Sequence, residues 1–194
     1  MERKTDKAGK LFVISAPSGT GKTTLTRNVL ARVQPEHDIS RVVTYTSRTP
    51  RLEEKADVDY HFISEPEFAE KAAQNFFLEW SRAYGAYYGS PLSALENLAC
   101  GMSLIMILDL AGALNVIQRY DPVSIWISPP GIDVLRERLN KRGPTDPLQD
   151  LRLKLAQEEL EHEALSRFTH RLANIDLHKS VDELENIIRT TLQR

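Results

Sequence analysis

The residues Ala16-Pro17-Ser18-Gly19-Thr20-Gly21-Lys22-Thr23 have the spacing of a phosphate-binding loop, with alanine where the first glycine is usual. Consecutive backbone N–H groups in such a turn converge on an anion, and a helix N-terminus behind them adds partial positive charge. The pattern predicts a nucleoside triphosphate as ligand. Lys22 would reach its β- and γ-phosphates, and the Thr23 hydroxyl would ligate Mg²⁺. Ala16 fits this reading wherever the backbone needs no positive φ. The plain alternative is a glycine-rich turn that only caps a helix, and the flanking elements decide between the two.

A triphosphate site does not say which reaction follows, and the arginines bear on that. Arg48 and Arg51 flank Pro50 in Ser47-Arg48-Thr49-Pro50-Arg51, a turn too polar to be buried unpaired. Arg138 and Arg142 lie four apart and share a helical face. Arg152 begins the next helix after Gly143-Pro144-Thr145-Asp146-Pro147, a loop suited to a hinge or lid. Any one of these arginines reads as a solvated surface charge. Together, beside a phosphate loop, they suit a reaction in which several phosphate groups meet. Phe76-Phe77-Leu78-Glu79-Trp80 places Glu79 within an aromatic strand. Alternation sends Leu78 and Trp80 to one face and Phe77, Glu79 and Ser81 to the other. A carboxylate there is costly if desolvated without a partner. It is either an exposed strand glutamate or an acceptor for N–H donors of a base.

These residues need elements to position them. Leu11-Phe12-Val13-Ile14 is wholly apolar and enters the loop at once, as a strand buried on both faces does. Lys22 to Val33 carries Leu25, Val29 and Val33 at helical spacing. Leu104 to Leu108 and Val123 to Ile127 repeat the buried-strand pattern, followed by helical segments Ala113 to Tyr120 and Asp133 to Lys141. Strands alternating with helices predict an α/β fold with a parallel sheet. Leu148 to Phe168 reads as one longer helix, and Ser180-Val181-Asp182-Glu183 as a capping box opening the last. From Ser40 to Tyr88 the rhythm breaks. Val42 to Thr46, Tyr60 to Ile63 and Phe76 to Trp80 are strand-like, and Ser64-Glu65-Pro66-Glu67 caps a short helix with Ile63 and Phe68 placed as a staple. This stretch is expected to be an insertion built on a small sheet, without a core of its own. Residues 1 to 9 read as a polar, mobile arm.

Composition narrows the class. The 194 residues suffice for one domain able to bury a core, and 41% hydrophobic with 27% charged residues is ordinary globular composition. A net charge of −2 argues against binding nucleic acid by bulk charge. The single cysteine, Cys100, excludes a disulfide framework and multi-cysteine metal sites. The first ten residues lack an apolar stretch like a secretory signal, and no apolar run is long enough to span a bilayer. The expectation is a cytoplasmic protein with no membrane partner; its oligomeric state is not legible.

Ser15 to Leu25, Ser47 to Arg51, Asp59-Tyr60-His61-Phe62, Leu78-Glu79-Trp80, Tyr87-Tyr88-Gly89-Ser90, Arg138 to Gly143 and Arg152 to Leu160 together resemble guanylate kinase, in order and over nearly the whole chain. The resemblance implies a single P-loop kinase domain. Its parallel-sheet core would be residues 10–43, 98–136 and 169–194, with a mixed-sheet GMP-binding insertion at 44–97 and a helical lid at 137–168. It implies ATP and GMP as substrates, with Mg²⁺. ATP would lie on Ala16 through Lys22 with Thr23, Thr24 and, at the adenine end, Asn174. Arg48, Arg51, Tyr60 and Tyr88 would hold the GMP phosphate. Thr44, Glu79 and Ser90 would read or support the guanine with Asp109 nearby, and Lys22, Arg138, Arg142 and Arg152 would act on the transferring phosphoryl group.

Two departures stand against the pattern. Ile107 replaces the first of two aspartates after the third core strand, and Ala111 replaces a glutamine. The valine-rich strand usual before Asn174 is also missing. These departures leave two rivals: a guanylate kinase-like binding module with weak catalysis, and a kinase for another phosphorylated acceptor. Lys22-Thr23 and the arginines of 137–168 oppose the first, and Thr44 with Glu79 opposes the second.

Overall fold

The computed structural model describes residues 8–141 and 149–193. Its first strand, β1 (Leu11–Ser15), is buried along almost its whole length and leads through the phosphate-loop turn into α1 (Lys22–Val33). The chain continues through β2 (Ile39–Arg41), β3 (Thr44–Thr46), β4 (Tyr60–Phe62), α2 (Glu65–Ala73), β5 (Phe77–Ala83), β6 (Ala86–Pro91) and α3 (Ala94–Ala99). It then forms β7 (Ser103–Leu108), α4 (Leu110–Tyr120), β8 (Val123–Ser128), α5 (Ile132–Lys141) and α6 (Gln149–Glu161). The last elements are a 3₁₀ turn (Glu163–Arg167), β9 (His170–Ala173) and α7 (Leu177–Leu192).

The fold is α/β, as the alternation predicts. Five strands in the order β2-β7-β1-β8-β9 make an all-parallel sheet. Its pleat divides the apolar residues between two layers. Phe12, Ile14, Ile105, Ile125 and Ile127 pack with Leu25, Val29 and Val33 of α1 and with Val181, Leu184 and Ile188 of α7. Val13, Leu104, Met106 and Trp126 pack on the other face with Leu110, Ala113 and Val116 of α4. Each such side chain contributes about 1.5–3 kcal/mol by leaving water, and both faces are covered. A second, mixed sheet runs β4-β3-β6-β5, with β3 and β4 parallel and the other pairs antiparallel.

Several expectations need correction. Val42 to Thr46 is not one strand: Val42 and Val43 carry the chain out of the first sheet, between β2 and β3, into the second. The helix expected from Leu148 to Phe168 ends at Glu161, with Leu148 itself outside the described residues. His162 then adopts extended backbone and caps the 3₁₀ turn, so that Leu165 and Phe168 enter the core, Phe168 at 5.5 Å from Trp126. The last helix opens earlier than the box at Ser180. Asp176 is the cap and accepts from the Lys179 N–H at 2.9 Å, while Ser180 is buried inside α7. A strand does precede Asn174, at His170–Ala173, held by its pairing with β8 rather than by β-branched residues. α4 starts three residues before the expected Ala113, because Asp109 caps it.

The alternation expected along β5 holds from Glu79 through Ser81, both on the side of Asp109 with Trp80 opposite, and fails before Glu79. Pairing with β6 slips between Phe77 and Glu79, a β-bulge that places Leu78 on the same side as Glu79. Leu78 packs with Leu110 and Ala113, whereas Phe77 and Trp80 both meet the ring of Phe68, at 4.4 and 6.4 Å. Phe68, buried by α2, also stacks on Tyr87 at 5.2 Å, so the insertion does carry a small aromatic core. The capping box at Ser64 and Glu67 is present.

Candidate active site

The phosphate loop is held open by its glycines and pressed from outside. Gly19 and Gly21 have φ of +89° and +100°, in the region that favours glycine, and Ala16 is not among the positive-φ residues. A Cβ at Gly19 would lie 2.9 Å from Leu135 of α5, and one at Gly21 3.0 Å from the Asn174 amide. Asn174 Nδ2 donates to the Thr20 carbonyl at 2.7 Å, and Arg138 Nη1 donates to the same oxygen at 3.1 Å. Two residues distant in sequence thus fix one turn of the loop. Lys22 Nζ donates to the carbonyls of Ala16 and Pro17, and Thr23 and Thr24 are exposed at the opening of α1. α1 has no side-chain cap at Gly21, so its first-turn N–H groups suit an anion.

The loop forms one end of a cleft of about 580 Å³ that continues between the two sheets. Pro17, Ser18, Gly19, Lys22, Thr23 and Thr24 line that end. At the other end lie the arginines of the Ser47–Arg51 turn, and a carboxylate joins them. Glu54 Oε1 accepts from Arg48 Nη2 at 2.9 Å and from Arg51 Nη1 at 3.4 Å, while Oε2 accepts from the Arg51 N–H at 2.8 Å. Arg48 stands 5.4 Å over the Tyr60 ring, and Tyr60 meets Tyr88 edge-on at 6.2 Å. The buried Nε of Arg48 has no hydrogen-bond partner, a donor left over in the cluster. Arginine–tyrosine clusters of this composition suit a dianionic phosphate.

Between the two ends sits Glu79, 5% exposed. Its Oε1 accepts from the Ser90 hydroxyl at 2.7 Å and the Ser90 N–H at 3.2 Å. Burial pushes the Glu79 carboxyl up to about 7, Asp109 adds to the rise, and Ser90 opposes it. Oε2 lies against Gly112, where a Cβ would come within 2.7 Å of it. Asp109 is doubly engaged: Oδ1 caps α4 through the Gly112 N–H at 2.8 Å, and Oδ2 accepts from the Ser81 hydroxyl. Thr44 is buried on the same wall. A carboxylate with one oxygen still facing a cavity can accept donors from a flat heterocycle.

The structure therefore brings Ala16 through Thr24, Thr44, Arg48, Arg51, Tyr60, Glu79, Tyr88, Ser90, Asp109, Arg138, Arg152 and Asn174 to one cleft or its immediate wall. Arg142 lies outside the described residues. Arg152 is buried and donates Nη1 to Ser18 Oγ at 3.2 Å. Ile107 lines the cleft floor, and Ala111 is exposed in the first turn of α4. Sequence reasoning missed Glu54, Ser81, Tyr84 and Glu159. Ser81 carried a signal as a residue on the Glu79 face of its strand, and Glu54 as one three residues beyond Arg51 in a turn already singled out. Glu159 Oε2 is buried without a partner, and burial raises its carboxyl while the Lys22 ammonium opposes the rise.

Comparison with known proteins converges on one group. The family model described as guanylate kinase matches residues 8–191. A guanylate kinase of Protochlamydia amoebophila is 38% identical over 94% of this chain and 91% of its own length. One from Dechloromonas aromatica is 35% identical over 95% and 90%. The crystal structure of guanylate kinase from Anaplasma phagocytophilum superposes with a TM-score of 0.77 at 28% identity, covering 97% of this chain and 89% of that one.

Proposed function

The chain belongs to the guanylate kinase family, and we propose from that premise that it transfers the γ-phosphoryl group of ATP to GMP, giving ADP and GDP. The observation that carries the choice of acceptor is the buried Glu79, bonded through one oxygen to Ser90 with the other beside a side-chain-free glycine. A carboxylate accepts from guanine N1–H and the 2-amino group by charge-assisted bonds. Adenine offers a lone pair at N1 and no 2-amino group there, and such a site can reject it by roughly 10⁴.

The acceptor is already an anionic phosphate, so no strong base is required. Positioning and charge neutralisation carry the reaction. Arg48, Arg51, Tyr60 and Tyr88 hold the GMP phosphate, with Glu54 keeping the two guanidinium groups together. Thr44 and Ser90 support the guanine, with Asp109 behind them. Ala16 through Thr24 hold the triphosphate, with Asn174 at the adenine end. Lys22, Arg138, Arg142 and Arg152 neutralise charge on the transferring group. We assign residues 44–97 to GMP binding and residues 137–168 to the lid.

Among the described residues there is no cluster of three or more His, Cys, Asp or Glu that could cage a metal. That fits Mg²⁺, which keeps most of its waters and takes few protein ligands beside substrate phosphates. The exposed Thr23 hydroxyl, at the opening of α1 in the cleft, would hold it beside the substrate phosphates. When bound, Mg²⁺ would neutralise phosphate charge. Among the described residues no helix is long and apolar enough to cross a membrane. With nucleotides as substrates and one exposed, unpaired cysteine, Cys100, we place the protein in the cytoplasm.

A coupled assay of ADP release tests the reading, offering GMP, dGMP, AMP, UMP and ribose phosphates in parallel. Turnover with GMP at least 100-fold above that with AMP and the ribose phosphates is expected. Equal turnover of AMP, or none with GMP, overturns it.

A further inference from the structure

The turn joining β5 to β6 is Tyr84-Gly85, and both residues have positive φ, 52° and 77°. For glycine that backbone is unstrained; for tyrosine it is not, and Asn would fit more easily. The tyrosine side chain lines the cleft beside Ser18 and Arg152. The Arg152 guanidinium carbon stands 4.7 Å from the centre of the Tyr84 ring. Arg152 is 6% exposed and also donates to Ser18 Oγ at 3.2 Å. The Ser18 N–H faces the phenol oxygen, and the Glu159 and Asp109 carboxylates lie close enough, with burial, to raise the phenol pKa. The tip of the second sheet's hairpin therefore meets the phosphate loop and α6 at one point.

We propose that Tyr84 is a positioning residue, its ring the platform that holds the Arg152 guanidinium over the phosphate loop at Ser18. This rests on the reading of Arg152 as a group that acts on the transferring phosphoryl. A guanidinium on a long stem has many rotamers, and only those near Ser18 place it between the donor and acceptor ends of the cleft. An aromatic face fixes the plane of the fork as well as its place, and a cation–π contact strengthens when the cation is desolvated, as Arg152 is. The ring itself has two side-chain torsions and loses little freedom in doing so. Tyr84 comes from the sheet that carries Glu79 and Tyr88, so the platform ties Arg152 to the acceptor side of the cleft. Backbone strain at this turn is consistent with a side chain retained for its position rather than for the turn.

The test separates the ring from the hydroxyl and from the turn. Tyr84→Leu should lower kcat about tenfold and leave the KM for GMP within about twofold. Tyr84→Asn, which suits the left-handed backbone, should give the same loss in a turn that is no longer strained. Tyr84→Phe keeps the ring and should retain kcat within about twofold. In an Arg152→Ala background, Tyr84→Leu should cost nothing further. If Arg152→Ala turns over as the parent does, the reading of Arg152 fails. If Arg152→Ala is impaired but Tyr84→Leu and Tyr84→Asn are not, the platform is overturned while that reading stands. A Tyr84→Phe loss as deep as that of Leu, or an undiminished Leu effect without Arg152, overturns it equally.

Discussion

Burial holds the Glu79 carboxyl near 7, against 4.5 for the free side chain, so the folded protein retains a proton that the unfolded chain gives up between those values. Stability from this group is therefore greatest below about pH 4.5 and falls as pH rises to about 7, where the buried carboxylate is charged. The same ionisation creates the acceptor that guanine needs. As pH falls from 8 to 6, kcat/KM for GMP should drop with protonation of Glu79. Glu79→Gln should lower kcat/KM at pH 8 by about 10- to 100-fold, the worth of hydrogen bonds to a charged group. Its profile should lose the limb near pH 7, leaving only the titration of the GMP phosphate. Its melting temperature at pH 8 should match or exceed the parent's, because the buried charge is gone. Parallel pH–rate profiles and thermal melts check both halves, and an unchanged profile would make Glu79 a bystander. The sequence showed Glu79 as a carboxylate in an aromatic strand but left its exposure open. Only the bulge at Leu78 and the contact with α4 settle that it is buried.

At the scale of elements, α4 is where fold and site share atoms. Asp109 caps the helix with one oxygen, receives Ser81 with the other, and raises the Glu79 carboxyl from nearby. Gly112 in the same first turn gives Glu79 Oε2 its room. A glycine inside a helix costs about 0.5–1 kcal/mol relative to alanine, so Gly112→Ala is stabilising by propensity alone. Here the added Cβ would sit 2.7 Å from Oε2, and Ser90 pins the carboxylate from the far side. That clash offsets the propensity gain, so Gly112→Ala should not raise the melting temperature and should cut kcat/KM for GMP about tenfold, with the KM for ATP little changed. A variant with full GMP activity would show that Glu79 moves freely. Periodicity located α1 to the residue and the three central strands nearly so, because their burial is continuous and local. It failed where tertiary contacts decide: at Val42, where the chain changes sheets, at His162, which turns Leu165 and Phe168 inward, and at β9, which exists through its neighbour.

The whole molecule places its two anion-binding ends on different architecture. The phosphate loop belongs to the parallel sheet and α1, and the Arg48–Arg51 turn belongs to the second sheet, with Glu79 between. The donor end was legible because a single contiguous motif encodes it. The acceptor end was legible only as scattered arginines and tyrosines until a resemblance ordered them. Tyr84 and Glu159 escaped because each acquires its neighbours from a distant segment, whereas the partners of Glu54 lie in its own turn. Separate architecture makes the two ends separable by mutation. Lys22 lies on the loop, and its ammonium donates to the loop carbonyls of Ala16 and Pro17. Lys22→Met removes a charge from the donor end and leaves Arg48, Arg51, Tyr60, Glu79 and Tyr88 as they are. Phosphoryl transfer should fall at least 10³-fold, the scale of losing a charge that acts in such a transition state. GMP binding by calorimetry should stay within about threefold of the parent. Turnover close to the parent's would place the transferring group's charge partner elsewhere in the cleft. A matching loss of GMP affinity would instead show that the ends are one coupled site, with the loop reaching the acceptor through Ser18, Arg152 and Tyr84.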